Sequence, residues 1–266
     1  FDELESLARG LRLLRELTPR TTDYLVSRGE RLSARLVAGA LDAAGTRARY
    51  VEALEVIHTD SAFGRAAPDY PRTDRAIARA MLPLLARGTV PVLPGFIGAT
   101  PGGEVATLGR GGTDLSATLV ARALGASRVS LWKDVPGLLT ADPRIVPDAR
   151  VIPQLHSREA AELAYYGARV LHPRALIPLA GRRTPIFVRP FADPASPGTE
   201  VSERVGPAGF PVKALTAAMG QALVTVTGNG MLGVPGIAAR TFEALHARQI
   251  SVSLISQASS EHSICF

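Results

Sequence analysis

A chain of 266 residues with 46% hydrophobic and 20% charged residues has the apolar mass to bury a sizeable core, which excludes a disordered polypeptide and suits one or two domains. It holds no continuous apolar run of the ~18 residues a membrane-spanning helix needs, and its single cysteine, Cys265, excludes a disulfide framework and a cysteine-built zinc site. The net charge of +6 comes without a block of about five or six like charges and with only 5% aromatic residues, which is not the basic, ring-studded stripe of a nucleic-acid binder.

The basic residues are almost all arginine, and Lys133 and Lys213 are the only lysines. Lys133 therefore stands out. One free cysteine makes a reducing cytoplasm the default location, and the acidic, helical opening Phe1–Gly10 is unlike a secretory signal.

In chain order, Leu4, Leu7, Leu11 and Leu14 have helical spacing, so 1–17 reads as a helix. Arg28-Gly-Glu-Arg-Leu-Ser33 opens a second helix that runs to about Ala44 and stops at Gly45. Residues 49–56 read as a strand, 73–86 as a helix ended by Gly88, and 89–94 and 104–108 as short strands, the first of them buried. An apolar helix over 113–124 ends at Gly125, and a strand follows over 127–132. Helices are expected at 157–166 and 173–180, and a strand at 185–189. Strands alternating with helices predict an α/β fold with a mostly parallel sheet covered on both faces.

A Pro-, Gly- and Ser-rich stretch, 190–211, reads as a loop. Beyond it come a strand at 223–227, a glycine loop at 228–236, a helix at 237–248, a strand at 251–255 and another from 263. That order is the first part of a ferredoxin-like module. The expected division is 1–208 and 209–266. The chain opens on Phe1 and closes on His262-Ser-Ile-Cys-Phe266, an alternating run like an unfinished strand, so it reads as an internal piece of a longer polypeptide.

The stretch Leu108-Gly-Arg-Gly-Gly-Thr-Asp-Leu-Ser116 lies between a strand and a helix. Its glycines allow close backbone approach to an anion, and the helix start offers free N–H groups. Arg110 can grip a carboxylate or phosphate through two bonds. The spacing fits neither a Walker A loop nor GxGxxG, and a plain tight turn with Thr113 or Asp114 as N-cap reads equally well. Trp132-Lys-Asp-Val-Pro-Gly-Leu-Leu-Thr-Ala-Asp-Pro-Arg144 follows a strand end, where open α/β sheets bind ligands; it reads as a cationic nucleotide site or as two surface turns. In Tyr165-Tyr-Gly-Ala-Arg-Val-Leu-His-Pro-Arg174, Arg169 can reach a phosphate, and His172 before Pro173 reads as a helix-start residue. Glu30 could hold an ammonium group or simply favour a helix dipole. Cys265 reads as a core residue.

Taken together, 28–33, 108–117, 132–144 and 162–173 resemble the aspartokinases, and 250–264 resembles their regulatory ACT module, nearest the form fused to homoserine dehydrogenase. The resemblance spans nearly the whole chain. It implies the amino-acid-kinase fold, a carbamate-kinase-like three-layer αβα sandwich followed by a partial ACT module. It implies transfer of the γ-phosphoryl of ATP, with Mg²⁺, to the side-chain carboxylate of L-aspartate. By the same carry-over Glu30, Arg110, Gly111, Gly112 and Thr113 bind aspartate, Arg110 and Asp114 serve catalysis, and Lys133, Asp134, Leu139, Arg144 and Arg169 contact ATP. No protein side chains are expected to form a metal site of their own. Phosphoryl transfer depends on positioning and charge stabilisation, which suits a site so rich in cations.

The chain departs from the family at several places. Leu139 stands where many relatives have tyrosine, and Lys133 and Arg169 stand where many have threonine and lysine. The family's opening Lys-Phe-Gly-Gly-Thr-Ser, whose lysine stabilises the transferring group, does not occur, so the 266-residue piece is expected to be inactive alone. In the ACT module the resemblance implies an amino-acid effector at Met231, Gly236, Ile237, Ser251 and Val252, across an interface between modules of a homo-oligomer. Lysine-sensing relatives tend to carry an acid where Ser253 stands, so threonine is the expected effector. The rival readings are another kinase of the same fold and a non-catalytic amino-acid sensor.

Overall fold

Thr18 and Pro19 start a 25-residue helix: the Thr18 hydroxyl accepts from the Thr21 amide at 3.2 Å, and Pro19 fills the first turn. In the computed structural model, which describes residues 2–167, 170–204, 212–228, 234–257 and 263–266, this is α2, Pro19–Ala43, preceded by α1, Asp2–Leu14. The sequence pattern places the start of α2 at Arg28. The capping pair lies upstream of that point, and Gly29 is simply absorbed into the helix. Glu30 is therefore in mid-helix, and the helix-dipole account of it fails.

Strand β1, Ala48–Tyr50, stops early because Ala53–Val56 coil into a short helix, α3, whose Ala53 and Val56 are buried. At this bend the Glu52 carboxylate accepts from Arg31 at 2.7 Å and from the Tyr50 hydroxyl at 2.9 Å. Burial alone would raise the Glu52 carboxyl, but these bonds and the Arg31 charge hold it below the ordinary carboxylate range. Helix α4, Tyr70–Ala86, begins before the expected Thr73 because Asp69 caps the Arg72 amide at 3.0 Å. Strand β2, Val90–Val92, runs parallel to β1; Val90 is 41% exposed, so this strand is not the buried one expected.

Strands β3, Ile97–Ala99, and β4, Val105–Thr107, form a hairpin, and β4 leads into α5, Gly112–Leu124. Next come β5, Val129–Lys133, β6, Gln154–His156, and α6, Ser157–Tyr165. Two 3₁₀ turns, Pro173–Ala175 and Ile177–Leu179, replace the expected helix at 173–180. They are followed by β7, Ile186–Pro190, and β8, Thr199–Ser202. The larger sheet has the order β5-β7-β8-β6, parallel at β5-β7 and β6-β8 and antiparallel at β7-β8. Strand β8 lies inside the stretch read as a loop, and its Thr199 and Val201 are buried.

Helix α5 fixes the position of what precedes it. Leu115 and Leu119 belong to one core with Ile57, Ile77, Met81 and Leu108, while Ala121 belongs to a second with Leu131, Leu155 and Ile186. A helix buried on two sides is apolar nearly all round, as the sequence of α5 is. Burial of each leucine contributes about 2 kcal/mol.

The chain divides into two units, Phe1–Ala217 and Ala218–Phe266. In the second, β9, Thr225–Thr227, is followed by α7, Ile237–His246, β10, Ser256–Gln257, and β11, Ser263–Cys265. The order β10-β11-β9, antiparallel throughout, is that of a split β-α-β unit. Residues 251–255 are not a strand. The ladder to β11 begins at Ser256, which pairs with Cys265. Cys265 is a free thiol, partly buried within β11. Among the described residues no helix is long and apolar enough to cross a membrane.

Candidate active site

Strand β4 ends at Thr107, and the next residues turn sharply. Gly109 and Gly111 have φ of 72° and 71°, the left-handed region that glycine enters without penalty. The Gly112 amide closes the turn on the Gly109 carbonyl at 2.9 Å. Close packing also requires the glycines. A Cβ on Gly109 would stand 2.9 Å from the Gly64 carbonyl oxygen, one on Gly111 2.3 Å from His172 Cβ, and one on Gly112 2.8 Å from the Phe96 ring. Gly111 is the N-cap of α5 and no side chain caps that helix. Thr113 and Asp114 thus lie inside the first turn and neither is the N-cap.

Arg110, between the two left-handed glycines, is exposed and has no hydrogen-bond or ion-pair partner among the described residues. Thr113 is exposed beside it. Asp114 is 9% exposed and accepts from Lys133 Nζ at 2.7 and 2.8 Å. This pair joins the first turn of α5 to the end of β5. Glu30 is half-buried on α2, two turns from Asp23 and on the same face, and likewise has no partner among the described residues.

The remaining expected nucleotide contacts follow β5. Asp134 is exposed, and Leu139 bridges Val151. The Arg144 side chain is held in a fork on Asp142, at 3.0 Å from Nε and 2.6 Å from Nη2. Arg169 lies outside the described residues, as does Met231. In the second unit Gly236, φ 87°, caps α7, Ile237 begins it, and Ser251 and Val252 lie in the irregular segment before β10. Two open clefts lie elsewhere. One of about 830 Å³ is bordered by Tyr24, Leu54 and Glu104, the other of about 430 Å³ by His58, Arg72 and Arg79; residues 108–116 line neither.

Three participants carry no signal in the sequence. Asp23, buried in α2, accepts from the Thr107 amide and hydroxyl and from the Gly64 amide, at 2.8, 2.7 and 2.8 Å. Phe96, φ 73°, is a bulky residue in the left-handed region, a strain that clusters at functional sites; its amide donates to Ser116 Oγ at 3.0 Å. Arg174 donates to the Leu108 and Ala66 carbonyls.

His172 caps the first 3₁₀ turn, its Nδ1 accepting from the Arg174 amide at 3.2 Å. Burial, then the charges of Arg174 and Arg110, lower its pKa against the opposing pull of Asp114. The folded state therefore holds fewer protons there than the unfolded chain, and this group's contribution to stability falls as pH drops from the ordinary histidine value through the lowered one. An NMR titration of the His172 imidazole should show a midpoint below that of an ordinary histidine, moving upward in Arg110→Gln. An unmoved midpoint would place Arg110 away from His172.

The amino acid kinase family model matches residues 4–190, and an ACT domain model matches 224–266. Lysine-sensitive aspartokinase 3 of Escherichia coli is 40% identical over 96% of this chain and 57% of its own length. A bifunctional aspartokinase/homoserine dehydrogenase of Haemophilus influenzae is 34% identical over the whole of this chain and 32% of its own length. The chain thus spans little more than half of the first relative and about a third of the second. The solved structure of E. coli aspartokinase III in complex with aspartate and ADP superposes with a TM-score of 0.81 at 37% identity, covering 99% of this chain and 59% of that one.

Proposed function

The chain belongs to the amino acid kinase family, and from that premise we propose that it carries the substrate grip of an aspartate kinase, which transfers the γ-phosphoryl of ATP to the side-chain carboxylate of L-aspartate and forms 4-phospho-L-aspartate, the first step toward lysine, threonine and methionine. The observation that carries this reading is the glycine loop with an unpartnered guanidinium, at the uncapped start of a buried helix. Arg110 and the amides of Gly111 and Thr113 take the α-carboxylate, Gly112 lines it as the residue whose own amide closes the turn on Gly109, and Glu30 takes the ammonium group. Lys133, fixed on Asp114 by two N–H groups, keeps a third donor for a phosphate oxygen. Asp134, Leu139, Arg144 and Arg169 complete the nucleotide side. Among the described residues no three His, Cys, Asp or Glu side chains are grouped for a metal ion. The Mg²⁺ that accompanies ATP is assigned to the phosphates, where it neutralises charge.

The ACT module takes an amino-acid effector at Met231, Gly236, Ile237, Ser251 and Val252 and joins chains into a homo-oligomer; the location is the cytoplasm. Ser253 cannot supply a negative charge to a distal ammonium, so threonine is favoured over lysine, in contrast to the lysine-sensitive relative. Calorimetric titration of threonine and lysine tests this, and tighter lysine binding would reverse it. For the activity itself, the whole polypeptide that carries this chain is incubated with ATP, Mg²⁺ and each acceptor, and the acyl phosphate is trapped as its hydroxamate. Aspartyl hydroxamate is the expected product. Preference for glutamate or acetylglutamate would point to another kinase of the fold, and no acyl phosphate at all to an amino-acid sensor.

A further inference from the structure

We propose that Arg174 and Asp23 form a two-sided clamp that sets the position of the glycine loop, making both of them positioning residues for the substrate carboxylate. Two segments far apart in sequence meet here: Gly64–Ala66, and Thr107–Leu108 at the entry to the loop. A backbone bond from the Ala66 amide to the Thr107 carbonyl, 2.9 Å, joins them. Asp23 gathers the donors of both segments, the amides of Gly64 and Thr107. Arg174 gathers the acceptors of both, the carbonyls of Ala66 and Leu108. The acid serves N–H groups and the guanidinium serves C=O groups, so each charge meets the end of the peptide dipole it favours.

The chemistry of the two groups sets them apart from ordinary surface charges. Asp23 is 2% exposed and makes its bonds to Gly64 and Thr107. Arg174 spends its Nη atoms on two main-chain oxygens, and no carboxylate partners it among the described residues. Its guanidinium comes within 3.7 Å of where a Cβ on Gly109 would stand, and its turn brings the His172 side chain against Gly111. The clamp thus braces the loop on both sides of Arg110. Displacing a gripping group by about 1 Å can cost roughly 10²-fold in rate, so a fixed loop is worth keeping even where the bracing residues never touch the substrate.

This inference rests on the proposed aspartate kinase activity for its kinetic arm alone. In the whole polypeptide, Arg174→Ala is expected to raise KM for L-aspartate and to lower kcat/KM for it by roughly 10²-fold, with KM for ATP within about two-fold. Methylguanidinium should restore much of the loss, and Arg174→Lys should lie between, because one ammonium serves two carbonyls less well than a planar fork. Asp23→Asn, nearly isosteric, acts from the other side and should also raise KM for aspartate. Hydrogen exchange on this chain reads the loop without any substrate: the amides of 109–112 should exchange faster in Arg174→Ala and Asp23→Asn, while the interior of α5 stays protected. Should the parent show no aspartate kinase activity, the functional reading fails and the exchange arm alone decides the clamp. Unchanged loop exchange, or aspartate and ATP constants that move together, would overturn it.

Discussion

Arg110→Ala is expected to lower kcat/KM for L-aspartate by roughly 10³-fold, about 4 kcal/mol of lost transition-state binding, while changing stability by less than about 0.5 kcal/mol. The second figure follows from exposure: the side chain has no partner among the described residues, so folding loses nothing when it goes. The first follows from what the site must do. An isolated surface ion pair is worth about 0–1 kcal/mol, which would produce only a several-fold effect. A guanidinium that forks onto a carboxylate beside the open amides of a helix start acts where the carboxylate is already partly desolvated, and truncating such a partner costs about 2–5 kcal/mol. Arg110→Lys keeps the charge but loses the fork, and should recover about one factor of ten. Steady-state kinetics with aspartate varied at saturating ATP measure this, with thermal melting as the control. A loss of only a few-fold would mean that Arg110 is an ordinary surface charge, and the glycine loop would then be a turn and nothing more.

The glycine loop was legible in the sequence, and the physical reason is local. Three glycines with a helix behind them leave little choice of backbone, and α5 announces itself by being apolar all round and ending at Gly125, which indeed closes it in the left-handed conformation. What lay beyond the sequence is set by partners distant along the chain. Asp23 reads as one more helical acid until Thr107 and Gly64 are beside it. Arg174 is hidden among the many arginines of an arginine-rich chain. The strain at Phe96 has no compositional sign, since neither Gly95 nor Ile97 marks the residue between them as left-handed.

Element boundaries failed for the same reason. Helices α2 and α4 start at caps upstream of the apolar period, at Thr18 and Asp69. Strands β3, β6 and β8 are three or four residues long, too short for alternation to show, and β8 is hidden by flanking Pro and Gly. The segment 251–255 has the composition of a strand, but pairing decides, and β11 meets it only from Ser256.

Gly111→Ala should be the most damaging single-methyl change in the loop, and its rescue pattern is specific. Two costs add. The backbone at φ 71° disfavours an L side chain by about 1–2 kcal/mol. The new Cβ would also stand 2.3 Å from His172 Cβ and 2.6 Å from its Cγ, and overpacking of that kind typically costs about 1–3 kcal/mol. The clash is with the Cβ of a residue held in place by its own cap bond, so a rotamer change cannot relieve it. A loss of about 3 kcal/mol is therefore expected from chemical denaturation. Adding His172→Ala removes the Cγ contact but leaves the closer Cβ, so it should return only part of the steric loss. Adding His172→Gly removes it and should return the steric part, leaving the backbone part and the lost His172 cap, about 1 kcal/mol. The coupling energy in a double-mutant cycle is thus expected to be clearly larger for glycine at 172 than for alanine. Equal coupling for the two, or a Gly111→Ala protein as stable as the parent, would mean that His172 does not lie against the loop, and the bracing of Arg110 from that side would fall with it.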